Sequence, residues 1–345
     1  MKRNILITGG AGFIGANFTN YWVRNHPKDN VLVLDALTYS GNKCSLKPLL
    51  ESGTIQFIKG NINNSDLIKE LLEKFSITHI VHFAAETHVD RSIDSPKEFI
   101  TTNIMGTYTL LDSFHVHWEN GGRQDDWRFL HVSTDEVFGS LGFDDKPFTE
   151  ESCYKPSSPY SASKASSDHL VMSWGKTFNT PILISNCSNN YGPYQFPEKL
   201  IPLSLINILE GRSITIYGDG KNIRDWLYVE DHCIALDKIL LLGKISNTYC
   251  IGASNEISNN DLIIIICNLV DQISQKNNIK LPIIPSKKLI KYVSDRPGHD
   301  LRYSINASKL ENELNWKPKV DIINGLTNTI QWYLSNKKWW KDRYK

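Results

Sequence analysis

Asn4-Ile5-Leu6-Ile7-Thr8-Gly9-Gly10-Ala11-Gly12-Phe13-Ile14-Gly15 is the stretch on which the fold turns. A short apolar run ends in glycines spaced three apart, Gly9, Gly12 and Gly15, and a helical segment follows from Phe13 to Asn25. Glycines so placed let the chain turn tightly, let backbone approach a pyrophosphate, and let the helix pack close to the strand. The helix N-terminus then offers unpaired N–H groups to the phosphate charge. Three glycines alone are also compatible with a phosphate-free turn. Here Asp35 ends the next apolar run, 20 residues beyond Gly15. Its carboxylate can accept both ribose hydroxyls and would repel a 2′-phosphate, so the pattern predicts a dinucleotide, NAD in preference to NADP.

Outward from this turn, short apolar runs alternate with helical stretches. Asn4–Thr8, Val31–Leu34, Thr54–Lys59, His79–Phe83, Arg128–Ser133 and Ile182–Asn186 are the predicted strands. Phe13–Asn25, Ser65–Phe75, Pro96–Trp118 and Tyr160–Phe178 are the predicted helices. The strand runs are apolar and β-branched without strict alternation, as in a parallel sheet covered on both faces. An α/β fold is predicted: a Rossmann-type doubly wound parallel sheet over residues 1–190. Beyond about residue 190, Gly- and Pro-containing stretches interrupt short helices, so 191–345 is expected to be mainly a smaller, mixed α/β substrate lobe. Thr248–Ile251 suits a strand that returns to the main sheet near 247–252, which makes the boundary discontinuous. Lys337–Lys345 is expected to be a terminal helix packed on the body.

Composition removes several classes of function. The chain has 345 residues, 38 basic against 37 acidic, and a formal net charge of +1. That balance disfavours binding nucleic acid or an acidic membrane by bulk electrostatics. The densest apolar run, Leu262 to Cys267, falls far short of the ~18 residues needed to span a bilayer. No secretory leader is expected from Met1-Lys2-Arg3 running straight into the first strand. Six scattered cysteines contain no C-x-x-C and no ligand spacing with His, so neither a metal site nor a disulfide framework is expected, and a cytoplasmic setting fits.

The glycine spacing G-x-x-G-x-x-G resembles the extended short-chain dehydrogenase/reductase family, whose catalytic pair is Tyr-x-x-x-Lys. Four residues apart on a helix, the two side chains share a face, and the ammonium favours the tyrosinate. With 14 Tyr and 28 Lys the motif should arise by chance about once. It occurs four times, at Tyr39/Lys43, Tyr160/Lys164, Tyr217/Lys221 and Tyr333/Lys337. The first and third bracket Ser-Gly-Asn and Gly-Asp-Gly, which are not helical, and the fourth has no strand end before it. Tyr160-Ser-Ala-Ser-Lys164 opens a helix behind Pro159 and follows the strand end Ser133-Thr134, so it is the candidate pair.

Asp135 and Glu136 directly follow Thr134, at the carboxyl end of a parallel strand, where open α/β sheets bind ligands. On position alone an N-cap or a solvated turn is the alternative reading. Thr134-Asp135-Glu136 with Tyr160/Lys164 downstream resembles the nucleotide-sugar 4,6-dehydratases, whereas sugar 4-epimerases of the family generally lack the acid pair. Further blocks agree: Phe83-Ala-Ala-Glu-Thr-His-Val-Asp-Arg-Ser-Ile93, Ser188-Asn-Asn-Tyr-Gly-Pro-Tyr194, Phe196-Pro-Glu-Lys-Leu-Ile-Pro202, Arg224-Asp-Trp-Leu-Tyr-Val-Glu-Asp-His232 and Asp295-Arg-Pro-Gly-His-Asp300.

The resemblance implies an NAD-dependent hydro-lyase acting on a nucleotide sugar, with dTDP-glucose the expected substrate and UDP-glucose or another nucleotide sugar the alternative. A non-catalytic NAD-binding regulator is the alternative from another class. It further implies a homodimer formed by helices of the main domain. Thr134, Asp135, Glu136, Tyr160 and Lys164 would be catalytic, with Asp135 a protonated acid and Glu136 an ionised base. Gly9, Gly12, Phe13, Ile14, Gly15, Asp35, Ala36, Leu37, Thr38, Asn61, Ile62, Phe83, Ala84, Ala85, Glu86, Thr87, Thr102, Tyr160, Lys164 and Asn190 would contact the dinucleotide. Thr87, His88, Thr134, Asn189, Lys199, Leu200, Thr215, Ile216, Tyr217, Arg224, Asn259, Asp295, Arg296, Pro297, Gly298 and His299 would surround the nucleotide sugar. Arg224 and Arg296 suit diphosphate because a guanidinium forks onto phosphate oxygens, although a lone Arg is more often a solvated charge. Three positions depart from the family pattern: Asn61 stands for Asp beside the adenine, Thr87 for Ser, and Leu301 interrupts an Arg-rich run.

Overall fold

The computed structural model describes residues 2–295 and 298–341. Six strands lead the chain: β1 (Asn4–Thr8), β2 (Asn30–Asp35), β3 (Ile55–Lys59), β4 (His79–His82), β5 (Arg128–Thr134) and β6 (Ile182–Cys187). They are followed by β7 (Asn189–Tyr191), β8 (Ile214–Tyr217), β9 (Ile223–Tyr228), β10 (Thr248–Ile251), β11 (Glu256–Ser258) and β12 (Ile290–Val293). The main sheet runs β3-β2-β1-β4-β5-β6-β10, every pair parallel. This is the doubly wound order, and it reverses between β1 and β4, where the crevice outside the carboxyl ends receives ligands.

The strands are apolar throughout because both faces are covered. Ile5, Ile7, Val31, Val33 and Val81 face one layer, with Phe18 and Trp22 from Phe13–Asn25 and Leu236 and Leu240 from Val229–Leu242. Leu6, Leu32, Leu34 and Ile80 face the other, with Ile68, Leu71, Leu110, Phe114 and Val171 from three further helices. Alternate residues thus enter opposite cores, and each fully buried aliphatic side chain is worth about 1.5–3 kcal/mol.

The helix expected over Pro96–Trp118 is three pieces: Pro96–Phe99, a π-helical turn Ile100–Gly106, and Thr107–Asn120. A Cβ at Gly106 would sit 2.5 Å from Ile62 Cδ1, so a larger residue there would have to displace the Ile62 side chain where the turn closes on the segment after β3. Such π-turns shift the register of the residues that follow.

Beyond β6 the chain crosses into the second lobe. There β9 pairs in parallel with β7 and antiparallel with β11, and β8 pairs in parallel with β12. Tyr191, Leu205, Trp226, Leu262, Leu326 and Tyr333 share its core, and Trp340 of the tail is buried in it. The tail is also tied to the first lobe, because Trp339 Nε1 donates to Ser45 Oγ at 3.0 Å. Besides β10, both Val229–Leu242 and the stretch containing Ala307, Leu310 and Trp316 pack on the main sheet. The return to the first lobe is therefore longer than one strand.

Candidate active site

The glycine turn closes on the neighbouring strand end. Gly9 has φ +67°, and a Cβ there would lie 2.6 Å from the Ala84 nitrogen; one at Gly15 would lie 2.3 Å from the Gly9 carbonyl oxygen. Gly12 caps Phe13–Asn25 with no side-chain hydrogen bond, so the first-turn N–H groups keep their capacity for an anion. Asp35 is buried at the end of β2; its Oδ2 accepts from Ala11 N at 2.9 Å and its Oδ1 from Leu37 N at 2.7 Å. Burial pushes its carboxyl up, and those two N–H groups oppose the shift. Every residue expected at the dinucleotide except Leu37 lines one cavity of about 300 Å³. Leu37 contributes its backbone N–H to Asp35. A bare glycine cradle, a helix end with no side-chain cap and a buried carboxylate at the end of the next strand together fit NAD.

The helix Pro159–Phe178 opens with a capping box between Ser158 and Ser161, with Pro159 in its first turn. This start places Tyr160 and Lys164 against the end of β5, in the same cavity as Thr134, Asp135 and Glu136. After Thr134 the chain tightens into a 3-10 turn, Asp135–Phe138. Thr134 Oγ1 accepts from Glu136 N and donates to Asp135 Oδ1, both at 3.3 Å. Asp135 is only 2% exposed and its Oδ2 is buried without a hydrogen-bond partner among the described residues. Burial, then Glu136 and Asp225, push its carboxyl well above the usual range.

Tyr160 does not show the downward pull expected from Lys164. Burial and the Glu136 carboxylate push the phenol well up, opposed by a hydrogen bond with Thr134. The reason is geometric. Lys164 Nζ donates to Val132 O at 2.9 Å and lies 3.3 Å from His131 Nε2.

Of the residues expected at the nucleotide sugar, Thr87, Thr134, Asn189 and Lys199 line the cavity. Lys199 Nζ donates to Thr87 O at 3.0 Å, joining the two lobes. His88, Leu200, Thr215, Ile216, Tyr217, Arg224, Asn259, Asp295, Gly298 and His299 are not among its walls. The side chain of Ile216 enters the second-lobe core, since on β8 alternate residues point inward, which leaves only its backbone to offer a ligand. Arg224 donates to Ile223 O at 2.7 Å and Asp300 O at 2.9 Å, with its guanidinium 4.4 Å from the Tyr303 ring centre. His299 Nδ1 lies 2.7 Å from Asp295 Oδ1. Arg296 and Pro297 lie outside the described residues. Asn61 uses its Oδ1 on Asn63 N at 2.9 Å, and Leu301 N donates to Ser140 Oγ at 2.8 Å.

Sequence pattern passed over several groups that shape the site. Ser40, Cys187, Gln195, Phe196 and Glu198 also line the cavity. Asn103, in the π-turn, accepts from Glu86 N at 2.8 Å and donates to Glu86 O at 3.0 Å and Ser163 Oγ at 2.8 Å. His232 Nδ1 lies 3.0 Å from Asn190 Oδ1, fixing the amide of a cavity residue. Asn103 sits in the π-turn, which nothing local in the sequence announces.

A family model described as GDP-mannose 4,6 dehydratase matches residues 6–329. The chain belongs to this dehydratase family. It is 48% identical over 345 residues to a dTDP-glucose 4,6-dehydratase of Salmonella typhimurium, covering 97% of this chain and 94% of the relative. Among solved structures it is similar to the dTDP-glucose 4,6-dehydratase of Bacillus anthracis in complex with NAD, at 43% identity, 99% coverage of both chains and a TM-score of 0.84. The dTDP-glucose 4,6-dehydratase of Streptomyces venezuelae, solved with NAD and dTDP bound, matches at 39% identity, 99% coverage of both chains and a TM-score of 0.87. Within this dehydratase family, the Asp135-Glu136 pair beside Tyr160 is the feature to explain.

Proposed function

We propose that the chain dehydrates dTDP-glucose to the 4-keto-6-deoxy sugar, with NAD as a recycled cofactor. The observation that carries this is the buried Asp135 next to Glu136, Thr134 and Tyr160 in one cavity with the glycine cradle. NAD, when bound, supplies hydride acceptance at sugar C4 and hydride return at C6. Tyr160 takes the proton of the C4 hydroxyl while Thr134 holds that oxygen. The C4 ketone acidifies the neighbouring C–H, so Glu136 removes the C5 proton. Asp135, kept protonated by burial and by its acidic neighbours, donates to the departing C6 hydroxyl, which leaves as water. Glu136 then returns a proton to C5. One acid and one base with separated environments are what elimination needs, and an epimerase has no use for the pair.

The names of the relatives support dTDP-glucose as the sugar nucleotide. Thymidine and uridine diphosphate sugars differ by a methyl and a hydroxyl, and a methylene-sized contact is worth only about 1–3 kcal/mol. The test is turnover of dTDP-glucose by purified protein, with UDP-glucose and GDP-mannose in parallel, read by mass. Loss of one water from dTDP-glucose supports the proposal. Turnover of UDP-glucose alone keeps the mechanism and moves the substrate, and isomerisation without water loss refutes the roles given to Asp135 and Glu136. Bound NAD without any turnover favours a regulator.

A cytoplasmic homodimer is part of the same proposal. All six cysteines are free, and among the described residues no helix is long and apolar enough to cross a membrane. Ile100, Met105, Tyr108, Val116 and Phe178 are exposed along neighbouring helices of the main domain, an apolar face suited to a second copy. A monomer mass by light scattering at micromolar concentration would count against it.

A further inference from the structure

Lys164 is 4% exposed, and a buried ammonium that gives up its hydration must be compensated nearby. Besides Val132 O, its polar neighbour is His131, whose Nε2 lies 3.3 Å from Nζ. That same Nε2 lies 3.1 Å from Asp168 Oδ1. His131 and Asp168 have no exposed side-chain surface at all. Asp168 stands four residues after Lys164, as Lys164 stands four after Tyr160, so the three share one face of the helix Pro159–Phe178. The other carboxylate oxygen, Asp168 Oδ2, accepts from Ser133 Oγ at 2.8 Å, Tyr154 OH at 2.9 Å and Asn186 Nδ2 at 3.2 Å. Three donors converging on one buried oxygen build a site for an anion.

We propose that His131 and Asp168 are positioning residues for Lys164, a buried counter-ion that holds the ammonium charged beside Tyr160. The role rests on the proposed use of Tyr160 and Lys164 in the dehydratase reaction. Electrostatics agree with the geometry. Against burial, the neighbouring His131, the Lys164 charge and the Ser133 hydroxyl together hold Asp168 below the usual carboxylate range. Burial pushes His131 down to about 4, so a neutral ring lies between cation and anion at neutral pH. Burial pulls Lys164 down, while Asp168 and, less strongly, Cys187 pull it up. His82 on β4 also feels the ammonium, and Tyr160 stands four residues before Lys164 on the same helix. His82 is held well below its usual value by burial, so it carries no charge. Asp168 is therefore the negative charge on which Lys164 depends.

The imidazole has one position at Nε2 for two neighbours: it can accept from the ammonium or donate to the carboxylate, but not both at once. A side chain offering both a donor and an acceptor should replace it, and an apolar one should not.

The test is a titration of protein labelled with 13C at the lysine ε-carbon, with Lys164→Met identifying the Lys164 resonance. Asp168→Asn should lower the Lys164 midpoint by about one pH unit or more, equal to at least a tenfold change in its protonation equilibrium. The alkaline limb of kcat/KM for dTDP-glucose should move down with it. His131→Leu should do the same, while His131→Gln should restore the midpoint; this pair also serves if Asp168→Asn does not fold. In the Lys164→Met background Asp168→Asn should remove little further activity. A lower kcat with both the Lys164 midpoint and the alkaline limb unmoved would mean a purely structural role and would overturn the proposal. Wild-type protein that turns over no nucleotide sugar would defeat the dehydratase proposal instead, because the resonance titrates without substrate.

Discussion

Asp135→Asn should make the protein more stable and its elimination slower, two effects of opposite sign from one group. Asp135 is 2% exposed, and burial, Glu136 and Asp225 raise its carboxyl well above 3.8. A carboxyl whose folded value is raised binds its proton more tightly when folded. Below the unfolded value both states are protonated and the group contributes nothing. As pH climbs from about 4 towards the folded value, the native state loses stability relative to the unfolded chain, by about 1.4 kcal/mol per unit. Asparagine resembles the protonated acid in shape and carries no such penalty. The Tm of Asp135→Asn should thus match wild type near pH 4 and exceed it progressively as pH rises towards the folded value, by roughly 1.4 °C per kcal/mol for 345 residues. Without a general acid, water loss should fall by about 10²–10⁴, or 3–5 kcal/mol of barrier. Scanning calorimetry across pH and product mass on dTDP-glucose read the two effects. A variant less stable than wild type at pH 8, with a gap that does not close towards pH 4, would falsify the picture of a buried neutral acid.

Glu136→Gln should lose exchange of the sugar C5 proton with D2O, measured by mass, whereas Asp135→Asn should keep it; equal exchange in both variants would undo the division of labour. Gly15→Ala places a Cβ 2.3 Å from the Gly9 carbonyl oxygen, which is backbone and cannot swing aside. The turn should shift at a cost of about 1–3 kcal/mol, and NAD affinity by calorimetry should fall at least tenfold. Asn103→Ala strips partners from Glu86 N, Glu86 O and Ser163 Oγ. Ser163 Oγ keeps its bond to Tyr160 O, so the loss falls on the two part-buried Glu86 backbone groups; at about 1–3 kcal/mol for each it should lower Tm clearly, and an unchanged Tm would mean the clamp is dispensable.

How much of this was legible in the sequence depends on the distance between partners. The helix Phe13–Asn25 has the predicted bounds, and the six leading strands lie within a residue or so of theirs, because apolar runs and glycine stops are local signals. Every expected dinucleotide residue except Leu37 lines the cavity, since most sit at strand ends that the topology gathers at one edge. Arg224 shows where residue type alone falls short: its guanidinium is braced by carbonyls of a chain segment 76 residues away. The π-turn was hidden because poor helix formers such as Thr101, Thr102, Asn103 and Gly106 mark a weak stretch of helix without saying that its register slips. His131, Asp168 and Asn103 were hidden because a polar residue on a helix or strand reads as solvated until its partner is known. Ser133 is 35 residues from Asp168, and Asn103 is 60 from Ser163.

The adjacency of Asp135 and Glu136 looks at first like an obstacle, since neighbouring carboxylates ought to share one environment. The backbone separates them. β5 ends at Thr134 in extended conformation, and the chain then enters a 3-10 turn, so consecutive side chains leave it in different directions. Asp135 turns inward, where its Oδ2 finds no donor among the described residues and Asp225 adds negative potential. Glu136 lines the cavity while its backbone N–H anchors on the Thr134 hydroxyl. That hydroxyl also donates to Asp135, so one threonine sets the turn and touches both the acid and the phenol. A strand that simply continued would put the two carboxylates on opposite faces of the sheet, one of them away from the crevice. The turn after β5 keeps both in one cavity and still gives them unequal burial, which is the condition for an acid and a base to work side by side.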